Sequence, residues 1–311
     1  MLLKHIGWAL LAMAALPGQT GSGLLDRIRH SSLAPEQQEA LAAAYAHKDF
    51  PGMEKILSAA DNSQRKSELE ALLGALEFVG GRMEQAIQAF HQAEALTPLD
   101  DHDRFTLAMA EIKMLDGKGS RAELTRLNQS HPQNPIYLYW LARLDYDQRL
   151  YEAAVDKLKR VVALDPVSVR GYDNLGLCYD MMGLTTEAET AFAKAVELNR
   201  KLAQPSAWPP HNLGYLELRL LKVNAAEENL REALTFDPKF ALAHYHLARA
   251  LEHEDKSDAA IEQYKAAAAL DSKLAEPLYS LGLLYRRRGL KAEAEIALAE
   301  YKKRRALAVS P

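Results

Sequence analysis

A chain of 311 residues exceeds one ordinary globular core, so its length admits two domains or one elongated array. At 48% hydrophobic, 7% aromatic and 26% charged, with long tracts of Ala, Leu, Glu, Lys and Arg and no sustained apolar alternation, the composition excludes a sheet-based fold and predicts an all-α protein. The formal net charge of -4 gives no global attraction to phosphates, which demotes nucleic acid as a partner while leaving local basic patches open.

The chain opens on Lys4 and His5, an apolar run from Ile6 to Leu16, and a Pro/Gly/Ser-rich stretch from Pro17 to Gly23. That order predicts a secretory signal peptide and linker over 1–23 and hence an exported, periplasmic or extracellular protein. The apolar run is shorter than the roughly 20 residues a membrane span needs, so cleavage is favoured over anchoring; membrane contact would come only through an uncleaved N-terminal segment. The single cysteine, Cys178, allows no internal disulfide, and its position in the packing register of a helix predicts a buried thiol and not a nucleophile.

Residues 24–66 predict N-terminal helices that include a degenerate helical pair over 35–61, with Leu41, Ala42 and Tyr45 in its first helix, Ile56 and Leu57 in its second, and Pro51 and Gly52 in the turn. From 67 to 308 the chain repeats itself. Leu73, Leu107, Leu141, Leu175, Leu213, Leu247 and Leu281 are separated by 34, 34, 34, 38, 34 and 34 residues, and each is followed by Gly or Ala. A second small column runs Ala86, Ser120, Ala154, Ala188, Ala226, Ala260 and Ala294, and a bulky one Phe90, Leu124, Leu158, Phe192, Leu230, Tyr264 and Leu298. Small residues at fixed intervals let helix axes approach to about 8–10 Å while the bulky columns fill the flanks.

These columns resemble the tetratricopeptide repeat, a helix-turn-helix of 34 residues with a Leu-Gly pair in helix A and Ala-x3-Phe in helix B. The resemblance implies a right-handed α-solenoid of antiparallel helix pairs with a concave surface lined mainly by A helices. The repeats fall at 67–100, 101–134, 135–168, 169–202, 207–240, 241–274 and 275–308, with a short insertion near 203–206. Pro98, Pro132, Pro166 and Pro238 end B helices. There are departures: the aromatic expected early in helix A is Tyr172 in one repeat but Glu70 and Arg104 in others, and "DGKGS" predicts a shortened helix B capped by Ser120 with Glu123. After Leu298 the charged C-terminal stretch predicts a solvent-facing cap.

No Gly-x-Ser-x-Gly elbow, phosphate-binding Gly loop or His-Glu-x-x-His motif is present, so no catalytic residue, cofactor or metal is predicted. His244 and His246 point to nearly opposite sides of a helix, and Asp100 to Asp103 suit a helix N-terminus. In the family, groove positions on helix A would place Asn174 and Asn212 toward an extended ligand, an amide presenting both a donor and an acceptor. The same position reads His246 and Ser280 further on. One residue earlier the column reads Tyr139, Asp173, His211, Tyr245 and Tyr279, with Arg143 and Arg249 four residues beyond two of the tyrosines. Trp208 in the insertion completes the candidate peptide groove. Aromatic faces with arginines suit a polypeptide of some acidic character. The Lys-Asn-Asn-Lys-Arg clamp of chaperone-associated members is not assembled here.

The expectation is therefore a non-catalytic scaffold that holds a protein or peptide segment, in an envelope- or secretion-related assembly. Two alternatives stay open: a homo-oligomerising adaptor, and nucleic-acid or acidic-surface binding through the basic runs Arg286–Arg288 and Lys302–Arg305.

Overall fold

Long runs of Ala, Leu, Glu and Arg with an apolar face repeating every three to four residues give helices that cannot stand alone and must pack in pairs. The computed structural model describes residues 21–60 and 66–309, and among these every regular element is a helix. The expected signal peptide lies outside the described residues apart from 21–23, which open the first helix. The chain divides into two compact units, Met1–Leu144 and Asp145–Pro311.

The first unit holds α1 (Gly21–His30), α2 (Pro35–Ala46), α3 (Phe50–Ala59), α4 (Lys66–Val79), α5 (Met83–Leu96), α6 (Asp101–Lys113), α7 (Gly117–Ser130) and most of α8 (Pro135–Asp147). Helices α2 and α3, α4 and α5, and α6 and α7 pack as pairs. The first helix packs on α2 and on the A helix α4. Its Leu24 and Ile28 are buried in the cluster that contains Leu72 and Phe105. Arg27 locks it to α6 by donating from both terminal nitrogens to Asp103, at 2.6 and 2.9 Å.

Two local expectations are corrected in this unit. Pro51 and Gly52 do not form the α2–α3 turn; they lie in the first turn of α3, where proline loses no helical hydrogen bond, and Asp49 caps them by accepting from the Gly52 amide at 3.1 Å. Nor is α7 shortened. Its cap is Asp116, which accepts from Lys118 and Gly119, so the helix begins before Ser120 and runs 14 residues. Ser120 is buried and donates to the Asp116 carbonyl, while Glu123 accepts from Arg104 at 2.5 Å. Arg104 thereby occupies the early aromatic position of helix A as an ion-pair hub, also reaching Glu94 at 2.8 Å.

The second unit holds the end of α8 and α9 (Tyr151–Leu164), α10 (Val169–Met181), α11 (Thr185–Asn199), α12 (Trp208–Arg219), α13 (Val223–Phe236), α14 (Ala241–His253), α15 (Ser257–Leu270), α16 (Glu276–Arg287) and α17 (Lys291–Val309). From α10 onward each A helix packs on its own B helix and each B helix on the next A helix. The reason for the small column is visible at Gly176, where a Cβ would stand 2.5 Å from the Phe192 ring of the paired helix. Gly74, Gly214 and Gly282 face Phe90, Leu230 and Leu298 in the same way.

Both units turn from helix A to helix B by one device. Eight described turns place a residue in the left-handed region: Lys48, Gly81, Leu115, Arg149, Gly183, Leu221, Asp255 and Gly289. The next amide then reaches back five residues to a carbonyl of the last turn, as Leu184 does to Tyr179 at 2.9 Å and Lys222 to Glu217 at 2.9 Å. This is a Schellman closure, which satisfies carbonyls that the helix end leaves open.

The insertion is latched too. Asn199 donates to the Ser206 carbonyl at 2.8 Å and accepts from its amide at 2.9 Å, and Pro209 and Pro210 then sit in the first turn of α12. At the C-terminus α17 continues for 19 residues, and Arg304 donates to the carbonyls of Ala268 and Asp271 at the end of α15.

Candidate functional site

The Leu-Gly register places the two preceding residues of each A helix side by side on successive rungs. In the second unit these pairs are Asp173–Asn174, His211–Asn212, Tyr245–His246 and Tyr279–Ser280, on α10, α12, α14 and α16. Of these, Asp173, Asn212, His211 and His246 join a buried polar chain. Asn212 donates to the Asp173 carboxylate at 3.0 and 3.2 Å, which orients its amide and leaves Oδ1 to accept from His211 Nδ1 at 3.1 Å. His211 Nε2 must then accept, and its donor is His246 Nδ1 at 3.0 Å. All four side chains are buried.

Burial dominates their electrostatics. It pulls the His211 imidazole down to about 4, although the Asn212 hydrogen bond acts the other way. His246 is lowered well below the usual histidine value, by burial first and then by the charges of His211 and Arg249. Both rings are therefore neutral at neutral pH. Aromatic rings close over them: Tyr215 stacks on His246 at 4.4 Å, and Trp208 and Phe240 pack on each other at 4.7 Å and on His211 at 5.8 and 4.8 Å.

The tyrosines of these pairs differ. Tyr245 is half-buried, with the Arg249 guanidinium 6.0 Å from its ring, and Tyr279 is 46% exposed. Beside them α14 and α16 enclose a groove of about 520 Å³ above Tyr264 of α15. In the first unit Tyr139 lies edge-on to Trp140 at 5.5 Å, and Tyr139 and Arg143 are half-buried.

The candidates thus separate into two sets. Asn212, His211 and His246 come together, but inside the fold. Asn174 is also buried and donates to the Arg170 carbonyl of its own helix at 2.9 Å. The amide donors of both asparagines are engaged internally, and Trp208 is held against Phe240 and His211. Tyr245, Arg249 and Tyr279 keep surface: Arg249 lines the groove, Tyr245 packs on the groove residue Tyr264 at 6.0 Å, and Tyr279 packs on Tyr301 of α17 at 5.2 Å. Asp173 joins His211 and Asn212 on adjacent rungs, a juxtaposition the register itself contained. Arg286 and Ser280 were legible only as a basic run and a column position.

The basic runs are largely engaged: Arg287 pairs with Glu252, Arg288 with Asp258 and Arg304 with Glu300. His244 bonds Gln263 at 2.7 Å, and Asp100 caps α6 by accepting from the Asp103 amide at 2.7 Å. Cys178 is buried. Among the described residues no helix is long and apolar enough to cross a membrane.

Repeated A/B pairs with size-matched crossings and a common turn define an α-helical repeat scaffold. The tetratricopeptide-repeat family model matches residues 105–169, 139–203 and 211–275, together just over half of the chain, and the protein belongs to that family.

Among curated relatives, the human protein O-mannosyl-transferase TMTC1 is 28% identical over 190 residues, 59% of this chain and 21% of that protein. The uncharacterized protein ycf37 of Cyanophora paradoxa is 26% identical over 125 residues, 40% of this chain and 73% of that one. The chain thus spans only about a fifth of the first relative's length.

Among solved structures, the Cut9-Hcn1 assembly of the APC/C aligns with a TM-score of 0.62 at 16% identity, covering 78% of this chain and 48% of that one. PilW, a type IV pilus biogenesis factor, gives 0.59 at 19% identity, covering 65% and 92%. The pilF protein of Pseudomonas aeruginosa gives 0.57 at 20%, covering 73% and 98%. At these identities the likeness is one of fold.

Proposed function

We propose that the protein is a non-catalytic scaffold of seven repeats over 67–308 that holds a polypeptide segment against the A helices of its second unit. The observation that carries this reading is the stripe of Tyr245, Arg249 and Tyr279, half-buried to exposed at fixed repeat positions beside an open groove. Rigid aromatic faces and guanidinium groups supply contact area and directional hydrogen bonds at low entropic cost. The buried Asp173–Asn212–His211–His246 chain is the support beneath the stripe: it fixes three consecutive A helices without spending the exposed side chains. In this reading Asn174, Asn212, His211, His246 and Trp208 position the groove, while Tyr139 and Arg143 offer similar surface in the first unit.

Export and an envelope-associated assembly are part of the proposal, resting on the composition of residues 1–23 and on a fold shared with pilus biogenesis factors. A photo-cross-linking residue placed at Tyr279, and separately at the exposed Glu228 of α13, tests the binding face in living cells. Discrete polypeptide adducts from position 279 and none from 228 are expected. Equal yields from both positions would remove the groove from consideration.

A further inference from the structure

The groove between α14 and α16 is not electrically neutral. It is lined by Arg249, Glu252, Ser280, Leu283, Arg286 and Arg287, with His253 at its edge. Glu252 is its one carboxylate, and it is already engaged: it accepts from the Tyr264 hydroxyl at 2.7 Å and pairs with Arg287. Among the described residues, Arg249 and Arg286 have neither an ion-pair nor a hydrogen-bond partner. Arg249 is half-buried and is met only by the face of Tyr245, 6.0 Å from its carbon. A guanidinium withdrawn from water without an anion forgoes its strongest interaction, the charge-assisted fork to a carboxylate.

The chain has spent acids to neutralise the neighbouring arginines: Asp258 for Arg288, Glu252 for Arg287, Asp180 for Arg219. It places none opposite these two. Beside them Leu283, 39% exposed, gives the groove an apolar lip, and Tyr279 stands one turn earlier on the same helix.

We infer that this groove takes an acidic polypeptide segment, an Asp or Glu carboxylate bridging Arg249 and Arg286 while an adjacent apolar side chain lies on Leu283 and Tyr279. The inference rests on the polypeptide-scaffold reading and deepens it by naming the chemistry of the partner. Charge complementarity selects the occupant, because two unpaired cations, Arg249 half-buried and Arg286 exposed, line one groove and attract a carboxylate more strongly than the net charge of -4 would suggest.

The test uses the full chain and two fluorescent peptides, one alternating Glu with Leu and one alternating Gln with Leu, read by anisotropy. The Glu peptide is expected to bind at least about tenfold tighter than the Gln peptide, with affinity falling as salt rises. Arg249→Gln and Arg286→Gln should each weaken the Glu peptide about tenfold and the Gln peptide by less than about threefold. Neither arginine holds an internal ion pair, so unchanged helical circular dichroism and melting temperature are expected for both variants.

Equal binding of the two peptides, lost on Tyr245→Ala with Tyr279→Ala but not on the arginine changes, overturns the acidic assignment and leaves the polypeptide groove standing. No binding of either peptide overturns both. Displacement of the Glu peptide by a single-stranded oligonucleotide, in an arginine-dependent way, reassigns the groove to phosphate. A concentration-dependent mass by light scattering, abolished by Arg249→Gln, reassigns it to a second copy of this chain.

Discussion

The two positions ahead of the repeat leucines read Ala71–Leu72, Phe105–Thr106 and Tyr139–Trp140 in the first unit, but Asp173–Asn174, His211–Asn212, Tyr245–His246 and Tyr279–Ser280 in the second. In the first unit the first two pairs are buried, and helix α1 lays Leu24 and Ile28 into the same cluster, while Tyr139 and Trp140 are half-buried. In the second unit Asp173, His211, Asn212 and His246 are buried and bonded to one another, while Tyr245 and Tyr279 keep surface. One repeat frame therefore serves two ends. Where the chain supplies its own occupant for the A helices the columns are apolar; where it supplies none they become a polar interior with an aromatic and basic exterior. Repeat geometry fixes where a side chain stands, and the chemistry at that place records what covers it.

The sharpest way to break this contrast is to release α1. Asp103 is 3% exposed, and burial already raises its carboxyl above the usual range against the pull of Arg27. Arg27→Ala leaves that group without its partner and should cost about 3 kcal/mol of local stability, the order found when a buried pair loses one member. Amide exchange in α1 and α6 measures it, and unchanged protection in α1 would show that it is not held as a covering element.

Next in size comes the frame common to both units. Gly176→Leu drives a side chain into Phe192 and Gly74→Leu into Phe90, and each should cost about 2 kcal/mol. Equal losses by urea unfolding support one frame with two faces. A silent Gly176→Leu would mean that the columns do not mark helix crossings.

That frame is what the sequence made legible, because it is written in residue size at a fixed interval and packing tolerates little else. The B helices end two residues before Pro98, Pro132, Pro166 and Pro238, as a residue lacking an amide hydrogen requires. Local polar chemistry was less legible. Ser120 looked like a cap because Ser and Glu three apart form that motif, yet Asp116 four residues earlier satisfies two amides at once and wins. Asn174 and Asn212 looked ligand-facing because register gives position without giving partners; the partner of Asn212 is 39 residues away. The unpaired state of Arg249 and Arg286 depends on which acids the fold brings near, which no spacing encodes.

Buried Glu111 of the first unit and the buried histidines of the second should answer pH in opposite directions, with Glu217 of the second unit, raised by burial, sharing the sign of Glu111. In the first, Glu111 is buried, then pressed by the charges of Glu123, Asp116 and Glu94, and its carboxyl is pushed up to about 8. The folded form thus holds a proton that the unfolded chain releases near the ordinary value of 4.5, so this group's contribution to stability is lost as pH rises from there toward 8. In the second, His211 titrates near 4 when folded against 6.5 unfolded, so stability is complete above 6.5 and is lost as pH falls toward 4.

His246 has the same sign; it faces His211, Tyr215 and Tyr245, with Arg249 nearby, and none of these is an acid. The Asp173 carboxylate reaches the pair through Asn212. Each group contributes a slope of at most about 1.4 kcal/mol per pH unit. Urea unfolding followed by Trp140 in a Trp8→Phe/Trp208→Phe chain, and by Trp208 in a Trp8→Phe/Trp140→Phe chain, separates the units. Parallel slopes would refute the opposition, and His246→Gln should flatten that of the second unit.

The smallest effect lies in the turns, where the units should behave alike. Leu115 and Leu221 adopt φ of 62° and 58° at the position that Gly183 fills at 75°. Both leucines are mostly exposed, so neither gains packing there. A Cβ in the left-handed region costs about 1 kcal/mol, and glycine removes that strain while giving the unfolded chain extra freedom worth about 0.5 kcal/mol. Leu115→Gly and Leu221→Gly should therefore each stabilise by about 0.5 kcal/mol, and Gly183→Ala, the reverse change, should destabilise by about 0.5 kcal/mol. Thermal unfolding of the three variants checks the sign. Destabilisation by Leu221→Gly alone would mean that this exposed leucine is covered by something on the second unit, and would turn a turn residue into part of the binding surface.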